Sequence, residues 1–252
     1  MITSFLVVTL AWYALRGLAR WWAWAGRVVG RLSPYTRGLH AWVLAAPATF
    51  VYIAVFTSST LLQKTAPRAL INLLTTIQST NLAHLSTRPL IALADSALWV
   101  ADKGSGLVFY VAVFASVVAW AEPRYGTPRI IVIVLCGHVF GSLLTAVVEW
   151  HAIETGKAPA RLAHTTDVGV SYIMVAGCAA AVVLMRGRWR IAGAMALGAG
   201  VVLPVFVTHT IWDLGHLFAT ACGLAAALLS LRLAPPRTPP DVRPCLPGRT
   251  VP

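Results

Sequence analysis

The amino-acid sequence predicts an all-α, polytopic membrane protein with a six-helix core and an extra apolar or interfacial helix before it. Three observations carry that reading. Hydrophobic residues make up 58% of the chain and charged residues 11%, whereas a soluble domain carries about 25% charge. The apolar residues lie in continuous runs, several close to the ~20 residues that a helix needs to cross a bilayer. The runs do not alternate as the strands of a membrane barrel do. Helices therefore satisfy the backbone polar groups that lipid cannot.

Residues 1–15 are apolar but short for a span. No basic segment precedes them and no small-residue cleavage site follows, which argues against a removable signal peptide. They read as a short extra span or an interfacial helix. Residues 16–40 are basic and carry Trp21, Trp22 and Trp24, a pairing suited to the headgroup layer. The core, residues 41–232, has spans at 41–62, 106–121, 130–149, 169–185, 189–207 and 211–231. Between the first two lies a long segment, 63–105. Within it 89–101 is apolar, contains Asp95 and is too short to cross, so it reads as re-entrant or surface-lying. The Pro-rich tail, 233–252, reads as disordered.

The net charge is +12. The basic residues sit between apolar runs rather than along one soluble face, which excludes nucleic acid as the partner. With the segment before residue 41 inside, 14 of the 20 Lys and Arg residues are cytoplasmic. The positive-inside rule prefers this orientation, with both ends of the core in the cytoplasm of a cell-membrane protein. Cys136, Cys178, Cys222 and Cys245 lack metal-ligand spacing, and nothing signals a cofactor or a disulfide framework. No oligomeric state follows.

Ionisable groups inside spans are costly and so are functional candidates. His138 lies in the third span and reads as a partner for a neighbouring helix. Glu122 closes the second span and reads as a structural partner for backbone or Arg. Asp167 precedes the fourth span and is placed to cap it. Asp213, one turn before His216, reads as a cap or loop anchor. Gly169-Val170-Ser171 opens the fourth span and Asp213-Leu214-Gly215-His216 opens the sixth. Counting crossings puts Ser171 and His216 at similar depth near the outer surface. Gly169, Gly177, Gly215 and Gly223 allow close packing of these helices. A Ser and a His meeting there form a nucleophile–base pair.

At these residues the sequence resembles the rhomboid superfamily of intramembrane serine proteases, closest to divergent rhomboid-like membrane proteins of actinobacteria. Three ordered motifs carry the resemblance: Glu122-Pro-Arg-Tyr-Gly126 with Arg129, Gly169-Val-Ser171-Tyr172, and Gly215-His216-Leu-Phe-Ala219 with Gly223. It implies a Ser171–His216 dyad and a water-filled cavity open to the outside above a re-entrant loop. The membrane lipid and a single-span membrane protein are the implied partners. The family's second-helix His and Asn, which help hold the oxyanion, correspond to Gly106 and Tyr110, where the Tyr110 hydroxyl is the substitute. The Gly after the nucleophile is Tyr172, a ring expected to separate the fourth and sixth helices, with Gly215 relieving only a little of the crowding. Two readings stand together: an active protease, or a catalytically inactive rhomboid fold that binds membrane clients. A transporter or channel is the weaker third, since no inverted repeat is visible.

Overall fold

The computed structural model of the chain describes residues 2–65, 67–100 and 105–238. The described residues divide into two compact units, 2–45 and 46–238. In the first unit, α1 (Ile2–Leu18) and α2 (Ala23–Ala45) are joined by a tight turn. The basic, Trp-rich segment is thus helical, and Trp21, Trp22 and Trp24 are all exposed. Pro34 lies inside α2 one residue after Ser33, whose hydroxyl bonds back to the Val29 carbonyl at 2.6 Å.

The second unit begins with α3 (Pro47–Thr65). The sequence sets this span at 41–62. The helix starts later, at Pro47, whose fixed φ and missing N–H suit a first helical position. The segment expected as a long loop folds into three short helices, α4 (Arg68–Ile77), α5 (Leu82–Thr87) and α6 (Pro89–Ser96). None is long enough to cross. The part of the expected re-entrant segment at 101–104 lies outside the described residues.

The second expected span runs through α7 (Leu107–Val113), a π-helical turn (Phe114–Val118) and α8 (Ala119–Tyr125). Then follow α9 (Thr127–Glu154), α10 (Val170–Leu184), α11 (Gly187–Val207) and α12 (Ile211–Leu233). Among the described residues, four helical segments are long and apolar enough to cross a membrane: Leu107–Tyr125, α9, α11 and α12. Helix α10 is apolar but has only 15 residues, about 22 Å of rise. It is the most enclosed helix, with buried residues on every turn from Val170 to Ala181.

Small residues set the close helix contacts. A side chain at Gly137 of α9 would lie 2.3 Å from Ala176 Cβ, at Gly141 2.9 Å from Ala219 Cα, and at Gly223 of α12 2.7 Å from Ala176 Cα. Thus α9, α10 and α12 meet along one seam of Gly and Ala. Gly177 faces elsewhere, against Val118 of the π turn. A second core is aromatic: Tyr52, Phe56 and Phe114 stack with centroids 5.2–5.5 Å apart.

Two motif residues act as helix caps. Glu122 is fully buried and accepts from Ala48 N–H (3.0 Å), Thr49 N–H (2.8 Å), Thr49 Oγ1 (2.7 Å) and Thr127 Oγ1 (2.8 Å). It therefore caps the N-terminus of α3, where negative charge is favoured. Arg129 donates to the carbonyls of Ala234 (2.8 Å) and Pro235 (3.2 Å) at the C-terminus of α12, the end that favours a cation. Gly126 has φ +86° and links α8 to α9. The tail expected to be disordered begins fastened: Arg237 N–H donates to Arg124 O at 2.7 Å. Residues 239–252, with Cys245, lie outside the described residues.

Candidate functional site

The start of α10 is fixed from below and from the side. Gly169 is its N-cap, and a side chain there would stand 2.1 Å from His138 Cε1. His138 is buried in α9 and donates from Nε2 to Leu93 O of α6 at 2.9 Å. Its expected partnership with a neighbouring helix is therefore to the short helix α6. Gly169 N–H donates to Ser96 O at 2.9 Å, which ties α10 to the same element. Ser171 follows one residue into the helix.

The start of α12 is set by a capping box. Thr210 Oγ1 accepts from Asp213 N–H, and Asp213 Oδ2 accepts from Thr210 N–H at 2.9 Å. Asp213 is thus a cap, and His216 lies one turn further on. Asp167 does not cap α10, which has no side-chain cap. The Asp167 carboxylate instead accepts from Tyr172 Oη at 3.0 Å, while its backbone O accepts from Thr80 N–H at 2.9 Å. The loop before α10 is thereby sewn to the segment after α4. Burial pushes the Asp167 carboxyl up to about 6, against the hydrogen bonds from Tyr172, Thr80 and the Val168 N–H that favour its ionised form.

Tyr172 does not separate α10 from α12. Its ring is buried and packs edge-on to His216, with centroids 5.2 Å apart and planes at 84°. Its hydroxyl lies where a methyl at position 215 would be: a Cβ on Gly215 would stand 1.7 Å from Tyr172 Oη. The missing side chain of Gly215 thus makes the full space for the tyrosine hydroxyl, rather than a small part of it.

Ser171, His216, Asp167, Asp213 and Tyr110 all line one cavity of about 720 Å³, walled further by Gln63 of α3 and Thr76 of α4. Ser171 and His216 are both half-buried there, and among the described residues no hydrogen bond joins them. Tyr110 reaches the cavity from α7. Gly106 lies beneath its ring, 2.9 Å from Tyr110 Cε2 to the position a Cβ would take. Glu149 of α9, unmarked by any motif, is buried near Asp167 and Tyr172. Only the fold brings it there from a long apolar helix. Among the described residues no three His, Cys, Asp or Glu side chains group as metal ligands.

A bundle of apolar spanning helices around an interior polar cavity defines a multi-pass helical membrane protein. The chain belongs to the rhomboid-like protein family, whose model matches residues 41–234. No curated protein and no solved structure matches it.

Proposed function

We propose that this protein is a rhomboid-like intramembrane serine protease that cleaves single-span membrane proteins near the outer surface of the cell membrane, with both ends of its core in the cytoplasm. The observation that carries the reading is the shared cavity: Ser171 from the start of α10 and His216 from the start of α12 line one polar recess between spanning helices. Ser171 Oγ attacks the scissile carbonyl. His216 takes its proton and returns it to the leaving amine. Water then attacks the acyl-enzyme and frees Ser171. Helices leave their first-turn N–H groups without intrahelical partners, and no side chain caps α10. Those N–H groups, with Tyr110, are the donors for the oxyanion. The edge-on ring of Tyr172 restricts the plane of the His216 imidazole.

A second reading rests on a specific observation. The Ser171–His216 hydrogen bond is missing among the described residues, and Gly106 and Tyr110 stand where the resemblance leads one to look for His and Asn. These features favour a non-catalytic fold that holds a membrane client in the same cavity. Loss of one oxyanion donor slows an enzyme about 10²–10³-fold, so the protease reading carries an expectation of slow turnover. Reaction of the detergent-purified protein with a fluorescent fluorophosphonate separates the two. The protease labels, and Ser171→Ala and His216→Ala each lose the label. A folded wild-type protein that takes no label supports client binding instead.

A further inference from the structure

A second cavity, of about 770 Å³, lies at the C-terminal ends of α8 and α10. Helix α10 carries Ser171 at its other end, so this cavity opens at the opposite face of the bundle. Arg124, Arg186 and Arg237 line it together with Trp120, Trp189 and Leu184. Among the described residues no Asp or Glu lines it. Among the described residues the contacts of Arg124 and Arg237 are with backbone carbonyls, the Trp120 ring and Gly126, and none is an ion pair. The nearby carboxylate, Glu122, is fully buried and engaged in capping α3. Three guanidinium groups around one recess repel each other unless a ligand brings negative charge.

The site is built rather than incidental. The Arg124 guanidinium sits 3.9 Å above the Trp120 ring and donates to the Trp120 carbonyl. Arg237 is delivered by its own N–H, which holds the Arg124 carbonyl at 2.7 Å. Its guanidinium then lies against Gly126, with Cζ 2.6 Å from the place of a Cβ. Exposed Trp189 and half-buried Leu184 continue the wall with apolar surface. Guanidinium groups beside tryptophan at a helix end match a phosphate at headgroup level with hydrocarbon beside it.

We propose that this cavity binds one anionic phospholipid, its phosphate held by Arg124, Arg186 and Arg237 and an acyl chain lying on Trp189 and Leu184. The occupant follows from the charge and from the apolar wall, which a free phosphate would leave exposed. Positively lined recesses between spanning helices select acidic lipids on the leaflet that carries them.

The test is native mass spectrometry of the full-length protein in detergent, titrated with phosphatidylglycerol or phosphatidylcholine. Wild type retains phosphatidylglycerol in preference. Arg124→Gln/Arg237→Gln weakens that retention about tenfold or more. Exposed Arg186→Gln, which breaks no described hydrogen bond, weakens it partially and guards against a double variant that fails to fold. Arg161→Gln, outside the cavity, leaves it unchanged. Equal retention of both lipids overturns the proposal, as does an Arg161→Gln loss matching that of Arg186→Gln. Displacement of the lipid by millimolar inorganic phosphate also overturns it, in favour of a soluble phosphate site. So does an unchanged preference in folded Arg124→Gln/Arg237→Gln, which would assign the cavity to a different ligand.

Discussion

At Tyr172 and Gly215 two substitutions relative to the family pattern answer each other. The tyrosine hydroxyl fills the volume of the alanine methyl that Gly215 lacks, 1.7 Å from the place of its Cβ. Gly215→Ala therefore overpacks a contact with no room to yield. It should lower stability by about 1–3 kcal/mol, read as a fall in the thermal unfolding midpoint in detergent. In a Tyr172→Gly background the same change should cost close to nothing, and a double-mutant cycle measures that coupling. Asp167 supplies a second expectation at this scale. Burial pushes its carboxyl up to about 6, above its ordinary 3.8. The folded state thus binds the proton more tightly than the unfolded chain does. The stability this contributes is full below the unfolded value and is lost as pH rises through 6. Melting measured from pH 4 to 7 should show a decline with rising pH, and Asp167→Asn should remove that component.

Among the elements, the caps carry the most legible chemistry. Glu122, within α8, gives both oxygens to donors on α3 and on Thr127. Glu122→Gln replaces one acceptor oxygen with a donor, so buried N–H or hydroxyl groups lose their partner. The expected cost is about 1–3 kcal/mol, again visible in thermal unfolding, with Glu122→Asp costing too because the shorter side chain does not reach both ends. The sequence marks Glu122 as structural because a carboxylate at a helix junction needs a partner. Nothing in it marks the π turn at Phe114–Val118, which rotates Tyr110 relative to Glu122. Local hydropathy is the same whether a turn closes at four or five residues.

For the molecule as a whole, the Gly and Ala seam sets the distance between α9, α10 and α12, and hence the spacing of the Ser171 and His216 backbones. Gly223 faces Ala176 backbone at 2.7 Å, where no rotamer change makes room. Gly223→Leu should wedge α12 from α10 and lower the unfolding midpoint and, on the proposed protease reading, abolish fluorophosphonate labelling although it lies outside the cavity wall. Retained labelling in a folded Gly223→Leu protein would show that helix spacing does not govern the pair.

By itself the sequence determined the class: apolar runs between basic turns, readable because lipid leaves the backbone only helical solutions. It also determined the order of the three motifs, and with them Ser171, His216, Glu122, Gly126 and Arg129. Tertiary structure alone decided what each polar residue touches. Asp167 has the look of a helix cap two residues before Gly169, yet its partners are Tyr172 and Thr80, the latter 87 positions away. The 63–105 segment reads as a loop, yet most of its described part is three short helices, of which α6 is fastened to α9 and to the start of α10 through Leu93 and Ser96. The recess lined by Arg124, Arg186 and Arg237 draws on three separate stretches of chain. Spacing along one helix is fixed by its period, whereas contacts across helices depend on packing distances that hydropathy does not encode.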